Sequence, residues 1–264
     1  KDQDRVETVT YRKDAQKAII RYVSTNGNRV LTTDEVTGKS GEAIAYSTTS
    51  QITEFKKQGY KLVSDEFTAG GAKVYDYDTA RDQVYTVTLS ERVEPVNPDN
   101  PTPQPNTPVN PGQPDSPRWP GTVENLDNKE SVSRTIHYVY EDGSKAKDDV
   151  VETLNFKRWS NVNLVTGHID FQDWTTNDDT FDKVVSPTIA GYTADKSEIP
   201  AVSGVKAKDQ DRVETVTYRK DAQKAVIRYV STNGNRVLTT DEVTGKSGEA
   251  IAYSLSLIHI SEPT

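Results

Sequence analysis

Apolar residues recur at every second position in several short stretches of this chain, and that period is the signature of strands with one buried face. Thr135-Ile-His-Tyr-Val-Tyr140 and Ala18-Ile-Ile-Arg-Tyr-Val23 each run into a turn dipeptide, Asp142-Gly143 and Asn26-Gly27, so each predicts a hairpin of the type I′ kind. Arg212-Val-Glu-Thr-Val-Thr-Tyr218 and Val84-Tyr-Thr-Val-Thr-Leu89 predict closing strands. Asp149 to Phe156 and Gly167 to Phe171 add two more, and any helix near Thr180 to Val185 is expected to be short. A helical period occurs once with conviction. Thr48 and Gln51 have capping-box spacing, Ile52 and Phe55 give an i, i+3 apolar face, and Gly59 can end the helix. The order hairpin, crossover helix, returning strands predicts a β-grasp module; a β-sandwich predicts no helix there.

The chain repeats itself. Residues 1–47 recur as 208–254, offset by 207, with one difference, Ile19 for Val226. Recent duplication of this kind cannot separate functional from structural residues, but it sets the organisation. Residues 1–11 read as the closing strand of an incomplete module, 12–94 as the helix-bearing module, 129–218 as a larger module, and 219–254 as a truncated copy of 12–47. Between the modules, 95–128 holds ten of the thirteen prolines, from Pro95 to Pro120. Proline at every second or third position predicts an extended polyproline II linker, about 3.1 Å per residue. A ligand for a proline-reading domain is the alternative. The truncated copy stops at Ser254, before its capping box, so 219–264 is expected to be mobile or to pair with another chain, an isolated hairpin being marginal. Residues 255–264, LSLIHISEPT, have no counterpart in the first copy; they resemble translated sequencing-adaptor read-through and are set aside as a non-native tail.

Composition narrows the chemistry. The 264 residues carry no Cys, no Met and three His, with a net charge of −8. Thiol catalysis, disulfide staples and cysteine metal sites are excluded, and no apolar run is long enough to span a membrane. The acidic balance argues against nucleic-acid binding. A missing initiator Met fits a slice from inside a repeat array. With His259 set aside in the tail, only His137 and His168 could serve as bases, and both sit on strands beside hydroxyl or carboxylate residues, where a solvated or sheet-packed histidine is the simpler reading. Asp178, Asp179 and Asp182 concentrate oxygen ligands within Asn177 to Asp182 and are the calcium candidates, the one cofactor considered. They lack the spacing and glycine of a calcium loop, which favours an acidic loop or helix cap.

The order of segments is specific. YVYEDGSK, DDVVETLNFKR, VTGHIDFQDW, FDKVVSPTIAGYTADKSEIP and VETVTYR resemble the mucus-binding repeat domains of lactobacillus cell-surface adhesins. YVSTNGNRV, TGKSGEAIAYS, QITEFKKQGYKLV and VYTVTLSE resemble the companion MucBP-like domain of the same repeats. The likeness covers nearly all of the chain outside the linker and the tail. It implies an α+β, β-rich fold of tandem ubiquitin-like β-grasp modules in an elongated array. It also implies an extracellular, cell-wall-anchored protein of a Gram-positive bacterium, with signal and anchor outside this stretch.

The same resemblance implies a non-catalytic adhesin that binds host mucin glycans through many weak contacts. A structural stalk is one alternative and an immunoglobulin-binding β-grasp module another. Neighbouring repeats of the same chain are further partners. Exposed aromatics stack on sugar faces, so Trp159, Trp174, Tyr138 and Tyr140 are the glycan-contact candidates. Trp159 and Trp174 are expected to fill the small core before they touch sugar, and Trp119 to dock on a neighbouring module.

Overall fold

The structure, a computed structural model, describes residues 4–254. It is β-rich and divides into two compact units: 4–129 with 157–174, and 130–156 with 175–254. The sequence reading placed residues 157–174 in the larger module; here they belong with the first unit.

In the first unit, strands β1 (Ala15–Ser24) and β2 (Val30–Lys39) form the expected hairpin, helix α1 spans Thr49–Lys57, and β3 (Tyr60–Asp65) and β4 (Gln83–Glu91) complete a sheet of order β2-β1-β4-β3. The β1–β4 pair is parallel, which a tight turn cannot connect, so the chain crosses over through α1. Half-burial explains the alternation in β1: Ala18, Ile20 and Tyr22 are buried, and Lys17, Ile19 and Arg21 face outward. Ile52 and Phe55 of α1 close the core with Tyr60, Phe67, Tyr75, Val87 and Leu89. Phe55 meets Tyr22 and Tyr60 at ring separations of 5.6 and 5.7 Å, and burying such a ring contributes about 2–3 kcal/mol.

Two local expectations are corrected. Thr48 makes no side-chain cap; its hydroxyl donates instead to Asp65 Oδ2 at 2.6 Å, tying the start of α1 to the end of β3. Asn26-Gly27 and Asp142-Gly143 are not the central pairs of type I′ turns. Positive φ falls on Gly27 and Asn28 in one, and on Gly143 but not Asp142 in the other, where Gly143 closes a loop between Tyr140 and Ser144. Both loops are longer than two residues, which moves the left-handed position downstream.

The proline-rich stretch is folded rather than extended. Strand β5 (Val93–Val96) joins β8 (Ser160–Asn163) and β9 (Ile169–Phe171) in a sheet of order β5-β8-β9. Beyond it the chain doubles back: Asn106 N–H donates to Trp119 O at 2.9 Å, Trp119 N–H to Thr107 O at 3.0 Å, and Val109 N–H to Pro117 O at 2.9 Å. Proline lacks a donor but keeps its carbonyl, so the few non-proline amides suffice to close the loop. Trp119 and Val109 pack against Val96, Val123, Val162 and Leu164. That apolar contact, absent from a solvated polyproline spacer, holds the segment down.

The second unit repeats the connectivity. Strands β6 (Lys129–Tyr140), β7 (Lys145–Lys157), β11 (Tyr192–Ala194) and β13 (Arg212–Lys220) form a sheet of order β11-β13-β6-β7 with β6 and β13 parallel. Residues 184–185 form strand β10, paired with β12 (Glu198–Ile199), where a short helix was considered. Ile136, Tyr138, Ile199, Val216 and Tyr218 are its buried core. Strands β14 (Ala222–Val230) and β15 (Val237–Lys246) form a two-stranded hairpin in the register of β1–β2. Among the described residues no strand stands to it as β4 does to β1, and Ile251 is 64% exposed where its counterpart Ile44 is 6% exposed.

Residues 4–11 were expected to form a strand and do not. Their sequence equals that of residues 211–218, yet Val9 and Tyr11 are exposed while Val216 and Tyr218 are buried. The difference is the partner: β13 lies between β6 and β11, and residues 4–11 have no such strands beside them among the described residues. The expectations for 255–264 lie outside the described residues.

Candidate functional site: an aromatic–guanidinium cluster

Arg158, immediately after β7, is fixed by its backbone and its side chain. Its N–H donates to Asn128 O at 3.0 Å, its Nε to Asp127 O at 2.8 Å, and its Nη2 to Asp127 Oδ2 at 2.9 Å. Its guanidinium carbon lies over two rings, 4.0 Å from the centre of Phe171 and 4.3 Å from Trp174. Cation–π attraction of this sort is worth about 0.5–1 kcal/mol per ring at partly exposed sites. Trp159 follows directly; its carbonyl accepts the Gln172 N–H at 2.9 Å, which sets it across from the end of β9. Trp159 is 42% exposed and Phe171 38%.

The far end of the β8–β9 hairpin is built tightly. Asn163 Oδ1 accepts the N–H groups of Val165 and Thr166, and Gly167 takes a positive φ of 73°. A Cβ on Gly167 would meet Thr122 Oγ1 at 3.1 Å, the hydroxyl that donates to Gly167 O at 2.7 Å. His168 and Asp170 pair at 3.0 Å on the exposed face. The aromatic cluster therefore rests on a short, internally braced sheet.

Of the four glycan-contact candidates, Trp174 stands in this cluster, and Trp159 is its exposed chain neighbour beside Arg158. Trp159 is exposed and not in a core, contrary to expectation, and it is Trp119 from the proline-rich loop that packs on Val96, Val123, Val162 and Leu164. Tyr138 and Tyr140 lie in the second unit and point inward. Tyr138 is 1% exposed against Tyr218 and offers no ring face to a ligand, and Tyr140 packs on Tyr192 at a ring separation of 4.8 Å. The alternation of β6 put both tyrosines on one face without saying that this face was the buried one. Phe171 and Arg158 were missed; the run Arg158-Trp159 placed a cation beside an aromatic, and Phe171 shows only once the β8–β9 pairing is known.

His137 pairs with Asp149 at 2.9 Å on the outer face of the second sheet. The calcium candidates do not converge: Asp178 Oδ1 accepts the Thr180 N–H, Asp179 Oδ1 the Thr180 hydroxyl, and the Asp182 carbonyl accepts from Arg134. Among the described residues no three carboxylate or imidazole groups are arranged to hold a metal. No described helix is long and apolar enough to cross a membrane.

Three family profiles match in succession: a mucin-binding domain over residues 16–91, a Muc B2-like domain over 123–222, and a MucBP domain over 224–258. These are families of mucin-binding domains and not of enzymes. No curated protein matches the chain. Among solved structures, Mub-RV is similar at 26% identity over 78% of this chain and 99% of its own, with a TM-score of 0.61. The type 2 repeat of the mucus-binding protein MUB from Lactobacillus reuteri is similar at 28% identity over 78% of this chain and 100% of its own, with a TM-score of 0.51. The MucBP domain of an adhesion protein from Pediococcus pentosaceus is 36% identical over 34% of this chain and 98% of its own, with a TM-score of 0.31. With successive mucin-binding profiles along its length and Mub repeats matched end to end, the chain belongs to the Mub-type family of mucus-binding repeats with MucBP-like domains.

Proposed function

We propose that this chain is a non-catalytic repeat of a bacterial surface adhesin, extracellular and carried on the cell wall, that binds host mucin through its glycans. The observation that carries the glycan reading is the half-exposed Phe171, gathered with Trp174 on Arg158, with the half-exposed Trp159 next to Arg158 in the chain. Flat apolar rings offered to solvent stack on the C–H faces of sugars, and the guanidinium and carboxylate groups beside them suit hydroxyl groups. One such patch gives weak affinity, and tandem copies turn weak contacts into avidity. The parallel central pair and crossing helix of the first sheet support reading residues 12–94 as a β-grasp module, and the same strand order in the second unit supports reading it as another.

The test is retention on the immobilised full chain. Mucin is expected to be held and mucin stripped of its sugars released, with Trp159→Ala and Phe171→Ala each weakening retention about tenfold, the scale of one lost stacking contact. Equal retention of stripped and intact mucin would sink the glycan reading. Retention of neither would favour a stalk, and retention of deglycosylated immunoglobulin would favour antibody binding.

A further inference from the structure

The two copies of the hairpin carry the same local braces. In the first, Ser40 N–H donates to Asp14 O at 3.1 Å, Gln16 Nε2 to Ser40 Oγ at 3.2 Å, and Lys13 pairs with Glu42 at 3.5 Å. In the second, Ser247 N–H donates to Asp221 O at 2.9 Å, Gln223 Nε2 to Ser247 Oγ at 3.1 Å, and Lys220 pairs with Glu249 at 3.5 Å. The second copy adds contacts that the first lacks. Asp221 N–H donates to Gly191 O at 2.9 Å, and the Thr193 hydroxyl donates to Asp221 Oδ1 at 2.5 Å. Both partners lie at the start of the edge strand β11, which pairs with β13 through Tyr192↔Lys220 and Ala194↔Tyr218.

We propose that the turn Gly191–Thr193 is the docking surface of the larger module for the hairpin of the module that follows it, with Asp221 as the shared clamp. Asp221 is the single residue between β13 and β14. Its N–H and carboxylate Oδ1 face back to β11 while its carbonyl faces forward to Ser247, so it is held from both sides of the joint. Gly191 is required on two counts. Its φ of 78° is strained for any residue with a side chain, and a Cβ there would sit 3.1 Å from Ser247 Cβ. A residue whose backbone and side chain are both held leaves the connection no free dihedral to pivot on. The sequence of the clamp, closing strand then Asp, occurs twice in the chain, at residues 4–14 and 211–221. The joint is thus written into the repeat, and a fixed joint sets the spacing at which successive modules meet a common ligand.

The absence of cysteine makes a test on the full chain direct. Spin labels on Thr153→Cys in β7 and Thr240→Cys in β15 report across the joint; labels on Thr232→Cys and Thr244→Cys report the hairpin alone. The expected result is one narrow distance distribution across the joint. Thr193→Val or Gly191→Ala is expected to widen it at least twofold while the hairpin distance holds. A broad distribution in the parent, an unchanged one in both variants, or broadening of both label pairs together would overturn the proposal.

Discussion

Arg158 lies 4.0 Å from the centre of the Phe171 ring while its Nη2 holds Asp127 at 2.9 Å, so one guanidinium both stacks and pairs. Only a planar cation can do both at once. Arg158→Lys keeps the charge and loses the plane, and it is expected to destabilise the first unit by about 1 kcal/mol, with Arg158→Ala costing about 2–3 kcal/mol. Urea unfolding monitored by tryptophan emission reads both effects, because Trp174 stands on the same guanidinium. Equal stability of the Lys variant and the parent would show that the stack contributes nothing.

The parts of this architecture that were legible beforehand are local. Ala18, Ile20 and Tyr22 alternate with Lys17, Ile19 and Arg21 because one sheet face is covered, and Ile52 with Phe55 shows the single helical stripe. What failed was set by distant partners. Val93–Val96 looks like the start of a linker until Ser160–Asn163 is beside it, 64 or more residues along. Trp119 looks like a spacer residue until Val162 and Leu164 form a floor for it. The Thr48 cap was lost to Asp65, a competitor that no short-range spacing reveals. In the cluster, the tryptophans were visible as residue types, but the exposure of Trp159 and the seating of Trp174 on Arg158 depended on pairings that no short stretch reveals.

In the second unit, Arg134 is 1% exposed and its charge is met by Glu152, by Pro200 O at 3.0 Å, by the Asp182 carbonyl, and by the Phe181 ring at 5.2 Å. Removing one member strands the others. Glu152→Leu and Arg134→Met are each expected to cost about 2–4 kcal/mol, less than a fully buried pair because Glu152 is 24% exposed. The double variant is expected to fall at least 1 kcal/mol short of the sum, since it leaves no unpaired charge. A thermal double-mutant cycle decides; strict additivity would mean that the pair is not coupled.

Tyr46 is held un-ionised well above the usual tyrosine value of 10.0, first by burial and then by its hydrogen bonds to Asp34 and Tyr22. Burial raises Tyr22, Tyr75 and Tyr85 in the same unit. Below pH 10 both folded and unfolded chains keep these protons, and the stabilisation is fully present. As pH rises past 10 the unfolded chain releases them first, so the native state binds more protons and stability falls with pH. Each such tyrosine steepens the fall by at most about 1.4 kcal/mol per pH unit. Denaturant midpoints between pH 9 and 12 should decline, and Tyr46→Phe should flatten the decline by up to one proton's worth. A flat profile in that window would contradict the assignment.

Gly38 and Gly245 occupy the same place in two copies of one sequence, yet they meet different surroundings. A Cβ on Gly38 would lie 2.2 Å from the Tyr75 ring, whereas one on Gly245 has nothing within 4 Å. Tyr75 is 3% exposed and packed in the core, so it cannot swing aside without opening a cavity. Gly38→Ala is therefore expected to destabilise the first unit by about 2–3 kcal/mol, the cost of overpacking a core. Gly245→Ala should leave stability unchanged or raise it by about 0.5 kcal/mol, since alanine restricts the unfolded chain more than glycine does. Urea midpoints of the two single variants, measured side by side, separate a packing effect from an intrinsic strand preference. Equal shifts in both would show that the ring does not crowd Gly38, and that the crossing of Tyr75 over β2 is not what distinguishes the covered hairpin from the open one.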